Sequence, residues 1–336
     1  MEYKLVGNSG LKVSRLCLGT LTFGDTTPDE DAARIVDSAR DAGVNFMDTA
    51  DGYAGSESEK RVAKLIKNDR HDWVLATKVG SGTGTDKRKK ALSRKWMMEA
   101  IDASLARLGT DYVDIWYLHH VDWETPIEET VRTMGDVIAA GKARYWGFSN
   151  HRGWQIGELV HTAAAVGAPA PIIAQPYYNA FNRMPETDIL PACDYYGIGV
   201  LPYSPLARGV LAAIHQPDQE PSPETRAGLK DRRLMQTEWR EESLIAAQKI
   251  KVYAEKRGMT PITFALQWLL NNKILTGVLA GPRTLAHWQG YLDALKGDWT
   301  AEDEVFLDTL CPPGHSTTHG YVDPRYPIRG RVKLVG

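Results

Sequence analysis

Cysteine is scarce in this chain. Cys17, Cys193 and Cys311 stand far apart in 336 residues. An odd, scattered count excludes a disulfide framework and the paired spacing of a structural zinc site. Long apolar runs are missing as well: no stretch approaches the roughly 18 apolar residues of a membrane span. The opening MEYKLVGNSG holds no apolar core of a signal segment. A reducing cytoplasm is therefore the expected location. Charge of one sign is also lacking, with 40 Lys and Arg against 42 Asp and Glu. That balance argues against nucleic acid or an anionic membrane surface as the main partner. The one compact basic run, Lys87-Arg88-Lys89-Lys90, reads as a solvated loop or helix start.

Several chemical signatures are absent too. The stretch KVGSGTGTDK, Lys78 to Lys87, looks phosphate-binding but has neither a Gly-Lys-Ser/Thr ending nor a G-x-G-x-x-G pattern, so it reads as a loop. His315 and His319 are four apart, but Pro312, Pro313, Gly314 and Gly320 oppose the helix that such a metal pair needs. No His-x-His marks the first strand, which argues against a metal-dependent barrel hydrolase. No metal is expected.

What is present is alternation. YKLV and LKVS, separated by Asn8-Ser9-Gly10, read as a β-hairpin. After it, short apolar strands alternate with helical patterns. The strands are RLCLGT, VNFMD, WVLATKV, YVDIWYLH, ARYWGFS, PIIAQ, IGVLPYS and LTGVLAG. Helices are expected near 28–42, 57–67, 93–108, 126–140, 153–166, 186–196, 241–256, 260–271, 284–295 and 301–310, several closed by glycine. The polar stretch 206–240, with Pro217, Pro221 and Pro223, reads as irregular. Eight near-solid apolar strands, each followed by a helix, indicate a parallel sheet covered by helices. The length suits a single (β/α)8 TIM barrel domain over 1–336, with an N-terminal hairpin and an extended C-terminal tail. The alternative, an open doubly wound sheet, normally carries G-x-G-x-x-G after its first strand, and CLGTLTFGD lacks it.

Active residues of such barrels sit at the C-terminal strand ends. The polar residues there are Asp48 with Tyr53 close behind, Lys78, His119 and His120 with Asp122, Ser149-Asn150, Gln175 and Tyr203-Ser204. Each alone has a plainer explanation as a helix cap, an exposed base or a packed ring. Together Asp48, Tyr53, Lys78 and His119 converge from three consecutive strands and suit proton transfer to a carbonyl oxygen. An ammonium beside a tyrosine favours its phenolate. A carboxylate holds a buried lysine charged, and a histidine can hydrogen-bond the substrate oxygen. No side chain delivers hydride, so a nicotinamide cofactor is implied. Ser149, Asn150 and Gln175 suit its carboxamide, and the Tyr203 ring suits stacking. The loops Ser204 to Gly209 and Ala280 to Thr284 suit its phosphates, with Arg283 placed for a 2'-phosphate.

At these residues the chain resembles the aldo-keto reductase family. The blocks MDTADGYAGSESE, ATKVG, SLARLGTDYVDIWYLHHVDWETPIEET, GKARYWGFSN, AQPYYNAFNR, YSPLARGVL and VLAGPRT occur in family order. The resemblance implies NADP(H)-dependent reduction of an aldehyde or ketone, with Asp48, Tyr53, Lys78 and His119 as the catalytic set. It implies a cofactor site of Thr20, Asp48, Ser149, Asn150, Gln175, Tyr203, Ser204, Leu206, Arg208, Gly281, Arg283 and His287. Ala286, His287, Gln289 and Tyr291 depart from the usual adenine-contacting residues, which leaves NAD(H) open. The tail, rich in His, Ser, Thr and Tyr, suits a hydroxylated, sugar-like carbonyl substrate. Some family members hold NADP(H) and serve partner proteins, so a regulatory subunit is the alternative.

Overall fold

The computed structural model describes residues 1–81, 91–327 and 329. The basic run at 87–90 and most of the Ser81-to-Lys87 loop lie outside the described residues. The hairpin is present: β1 (Tyr3–Leu5) pairs antiparallel with β2 (Lys12–Ser14), in register Tyr3 to Ser14. Val6, just after β1, and Val13 of β2, both fully buried, pack against the barrel interior, so the hairpin plugs the N-terminal end.

Eight parallel strands follow: β3 (Leu16–Gly19), β4 (Phe46–Asp48), β5 (Val74–Val79), β6 (Val113–Leu118), β7 (Ala143–Ser149), β8 (Ile173–Gln175), β9 (Gly199–Val200) and β10 (Val278–Ala280). They pair in the order β10-β3-β4-β5-β6-β7-β8-β9. The ends meet where Thr276 N–H bonds the Val200 carbonyl (2.8 Å) and Leu279 N–H bonds that of Pro202 (3.1 Å). The sheet is thus a (β/α)8 barrel, as expected.

The two-residue period of a strand decides which side chains enter the barrel. Phe46, Val74, Ala76, Ile115, Tyr117 and Ile173 share one inner cluster, while Met47, Leu75, Trp116, Leu118 and Ala174 join the layer beneath the helices. Counting in twos along the inner face reaches Asp48 from Phe46, Lys78 from Ala76 and Gln175 from Ile173. The polar inner residues therefore fall at the C-terminal ends, above an apolar interior. Gly147 on β7 is required by closeness: a Cβ there would meet the Ile173 carbonyl at 2.3 Å and the Tyr117 ring at 3.0 Å.

The helices fall where the patterns place them: α1 (Asp29–Asp41), α2 (Glu57–Leu65), α3 (Arg94–Leu108), α4 (Ile127–Ala139), α5 (Gly153–Val166) and α6 (Ile189–Tyr196). The stretch 206–240 is not wholly irregular. It holds a 3-10 turn (Ala207–Ala212) and a short helix, α7 (Arg232–Thr237), started by Asp231 accepting from Leu234 N–H. Leu234 and Thr237 are buried, so two anchors and a cap suffice in a helix of six residues, too short to show a period. Then come α8 (Glu241–Lys256), α9 (Pro261–Asn271), α10 (Leu285–Ala294) and α11 (Ala301–Leu310). Beyond α11 the chain returns to the barrel mouth. Arg183 N–H bonds the His315 carbonyl (2.7 Å), and Arg233 holds Asp323 through two hydrogen bonds of 3.1 and 2.6 Å. No helix among the described residues is long and apolar enough to cross a membrane.

Candidate active site

Lys78 is fully buried at the inner end of β5, and its ammonium has three partners. It bonds the Asp48 carboxylate, the Thr49 carbonyl (2.8 Å) and the Tyr53 hydroxyl (3.1 Å). The second Asp48 oxygen accepts from Gln175 Nε2 (2.9 Å). Asp48 is as buried as its partner, so each charge has its counter-charge and further hydrogen bonds. Burial pulls Lys78 toward deprotonation, but Asp48 and Tyr53 more than offset it and hold it above the ordinary lysine value.

Tyr53 reaches Lys78 because the segment after β4 turns back on itself. Tyr53–Ser56 is one 3-10 turn, in which Ala54, Gly55 and Ser56 are left-handed (φ 49°, 64° and 81°). Two of the three are not glycine, and each such residue costs about 1–3 kcal/mol. Supports offset this: Ser56 Oγ bonds the Asp51 carbonyl (2.7 Å) and Ser58 Oγ bonds the Thr20 carbonyl (2.8 Å). The Tyr53 ring meets His119 edge-on, with centroids 5.7 Å apart. Burial outweighs the nearby ammonium, so the Tyr53 hydroxyl stays above the ordinary tyrosine value. Charge pairing alone predicts the opposite direction, because it leaves out desolvation. Burial, then the neighbouring His120 and Lys78, hold the half-buried His119 well below the usual histidine range, hence neutral.

A second chain of contacts lies beside this set. Ser149 Oγ bonds the Gln175 carbonyl (2.6 Å). Asn150 Nδ2 bonds the His119 carbonyl (2.8 Å), and its Oδ1 accepts from the Tyr203 hydroxyl (2.8 Å). Tyr203 stacks on Tyr177, centroids 5.6 Å apart. The structure thus brings Asp48, Tyr53, Lys78, His119, Ser149, Asn150, Gln175 and Tyr203 together. Thr20 lies beneath them, fully buried, with its hydroxyl held by the Asp48 carbonyl (3.0 Å) and Ser58. Asp122 does not join them: its carboxylate caps the amides of Leu92 (2.8 Å) and Glu124 (2.9 Å).

The remaining expected residues lie in two loops. Ser204, Leu206 and Arg208 belong to the turn after β9, where Ser204, Ala207 and Arg208 are left-handed. Gly281, Arg283 and His287 lie at the start of α10, whose first turn Thr284 caps by accepting from His287 N–H. Arg208 Nε donates to Thr237 Oγ1 (3.2 Å) and Arg283 Nη2 to the Glu224 carbonyl (3.0 Å), so both cations are held by neutral oxygens. Two such arginines and a helix N-terminus fit a phosphate-bearing ligand. The half-buried Tyr203 ring beside Asn150 fits a flat amide-bearing ring.

Some site residues carry no signal of their own in the sequence. Ser81 bonds both His119 and His120, while Arg325 and Tyr326 reach His120 from the tail. Asp51 is the other. It is 4% exposed, and neither carboxylate oxygen has a hydrogen-bond partner. Burial, then the charge of Glu59, push its pKa up to about 7 from 3.8. Below the unfolded pKa Asp51 is neutral in both states and costs nothing. As pH rises from about 4 to about 7 the unfolded chain ionises first, and stability falls. Asp51→Asn removes this slope, and its advantage over wild type grows across that window by up to about 4 kcal/mol. Denaturant midpoints at pH 4.5 and 8 check this; parallel curves contradict it.

Comparison with known proteins supplies the family. The sequence model described as "Aldo/keto reductase family" matches residues 15–307. The chain belongs to the aldo/keto reductase family. A protein of Arabidopsis thaliana named "Probable voltage-gated potassium channel subunit beta" is 39% identical over 287 residues, 84% of this chain and 87% of that protein. "Uncharacterized oxidoreductase YrpG" of Bacillus subtilis is 30% identical over 333 residues, 96% of this chain and 99% of the relative. "Versiconal hemiacetal acetate reductase" of Aspergillus parasiticus is 32% identical over 298 residues, 81% and 86% of the two chains. Family and relatives support an oxidoreductase that reduces carbonyl groups. This aldo/keto reductase chain also has no group of three or more His, Cys, Asp or Glu arranged to hold a metal among its described residues.

Proposed function

We propose that this protein is an NADP(H)-dependent reductase of aldehydes or ketones, working reversibly, with Tyr53 as proton donor. The observation that carries the reading is the lysine bridge: one buried ammonium contacts both the Asp48 carboxylate and the Tyr53 hydroxyl. A reduced nicotinamide supplies the hydride when bound. Tyr53, held protonated by its burial, gives its proton to the carbonyl oxygen. The Lys78 N–H bonded to that hydroxyl stabilises the phenolate that forms. Asp48, steadied by Gln175, keeps Lys78 charged through the step. His119, neutral, orients the carbonyl by donating a ring N–H.

Ser149, Asn150, Gln175 and Tyr203 would hold the nicotinamide end, and Ser204, Leu206, Arg208, Gly281, Arg283 and His287 the phosphate end, with Thr20 supporting Asp48. Arg283, an always-charged fork at a helix start, favours the extra phosphate of NADP(H) over NAD(H). The tail with its tyrosines and hydroxyls suits a hydroxylated, sugar-like carbonyl. The test is loss of reduced-nicotinamide absorbance with a panel of aldehydes, ketones and keto-sugars. Arg283→Ala should raise the KM for NADPH roughly tenfold and leave that for NADH nearly unchanged. Equal effects on both cofactors would remove the arginine from the 2'-phosphate.

A second reading rests on the relatives named as potassium channel β subunits. In it the protein holds NADP(H) tightly for a partner protein and turns over slowly. Rapid exchange and turnover with simple aldehydes favour the enzyme; cofactor that co-purifies and does not exchange favours the subunit.

A further inference from the structure

We propose that Ser81 is a positioning residue for His119: its hydroxyl donates to Nδ1 and keeps the ring proton on Nε2, while Arg325 of the C-terminal tail makes this arrangement the favoured one. The inference rests on the reading of His119 as a hydrogen-bond donor to the substrate oxygen.

Ser81 Oγ lies 2.7 Å from His119 Nδ1 and 3.0 Å from His120 Nε2, and the two rings stack with centroids 4.5 Å apart. One hydroxyl has one proton to share between two ring nitrogens. Arg325 decides where it goes. Its Nη2 lies 3.0 Å from His120 Nε2, and a guanidinium carries donors only. His120 Nε2 is therefore the bare nitrogen, and its single lone pair is taken by the arginine. The His120 proton sits on Nδ1 and donates to the Tyr326 hydroxyl at 2.7 Å. Asn150 Nδ2 also lies 3.4 Å from that nitrogen, but it spends its two protons on the His119 carbonyl (2.8 Å) and Ser149 Oγ (2.9 Å). With His120 occupied, the Ser81 proton has one acceptor left, His119 Nδ1, over the shorter of its two contacts. His119 must then carry its own proton on Nε2, a nitrogen with no hydrogen bond among the described residues. The other tautomer would set the serine proton in competition with Arg325 for one lone pair, and leave His119 Nε2 with a lone pair facing a carbonyl oxygen. The bond made by one imidazole nitrogen fixing the state of the other is a general device.

The tail thus acts on the chemistry through two histidines, from more than two hundred residues away in sequence. The burial that keeps both rings neutral supports the same count, since a doubly protonated ring has no tautomer to choose.

The experiment is nitrogen NMR of the full chain with ring-labelled histidine, the His119 signals being assigned by their loss in His119→Gln. In wild type the His119 proton is expected on Nε2. In Ser81→Ala the signals move toward a tautomer mixture, and kcat falls roughly ten- to a hundredfold with the KM for cofactor unchanged. Ser81→Thr, which keeps the hydroxyl, restores both. Arg325→Leu produces a partial shift in the same direction. A wild-type proton on Nδ1, or a tautomer that Ser81→Ala leaves unmoved, overturns the proposal. A tautomer that shifts as expected supports it even if wild type reduces no carbonyl, a result that would overturn only the proposed reaction.

Discussion

Tyr53→Phe is expected to lower kcat for carbonyl reduction by roughly 10²- to 10⁴-fold, the range general acid catalysis supplies. At about 1.4 kcal/mol per tenfold this is about 3–5 kcal/mol of transition-state stabilisation. The substitution deletes one oxygen and keeps the ring that meets His119 edge-on. Folding and cofactor affinity should therefore survive. The loss should appear across the whole neutral range, because burial keeps the wild-type hydroxyl protonated beyond the ordinary tyrosine value. For the same reason wild-type reduction should hold up with rising pH until the solution is strongly alkaline. Steady-state kinetics with one aldehyde, beside cofactor titration by protein fluorescence, separates the two readouts. A variant that loses cofactor binding in step with kcat would mean that Tyr53 holds the ligand and does not donate the proton.

The second large effect is on stability. Lys78→Met removes one member of a fully buried ion pair and leaves the Asp48 carboxylate without its counter-charge. Breaking such a pair costs about 3–5 kcal/mol, more than the pair's net contribution, because the orphaned charge keeps its desolvation penalty. Asp48→Leu should cost a similar amount from the other side, by leaving the Lys78 ammonium unpaired. The double variant Asp48→Leu/Lys78→Met should cost much less than the sum, since no charge is left to desolvate. Urea midpoints for the four proteins measure the coupling. Additive losses would mean that the two charges do not depend on each other, and Asp48 would lose its place in the proton-transfer argument.

Much of this site is legible in the amino-acid sequence alone. Asp48 and Lys78 end apolar strands, and the two-residue period places both on the inner face with Phe46 and Ala76. The Gly-flanked stretch after Asp48 marks a tight turn, which is what carries Tyr53 back over the mouth. Other features are not legible there, for physical reasons. The helix Arg232–Thr237 depends on one cap and two buried anchors, too few residues to leave a period. The direction of the Tyr53 shift depends on how deeply the hydroxyl is buried, which pairing arguments leave out. The contacts of Arg325 and Tyr326 with His120 bridge most of the chain, and no local pattern announces them. Asp51 sits three residues from Asp48 in the same motif, and only the three-dimensional surroundings distinguish the paired carboxylate from the unpaired one.

The most direct test of the central claim is a label-transfer measurement. Wild type and Tyr53→Phe are each given reduced nicotinamide bearing deuterium at the transferable position and an aldehyde, and the alcohol is examined by mass spectrometry. The account predicts deuterated alcohol from wild type, and roughly 10²- to 10⁴-fold less per unit time from Tyr53→Phe. Deuterated alcohol formed at equal rates by both proteins would contradict it.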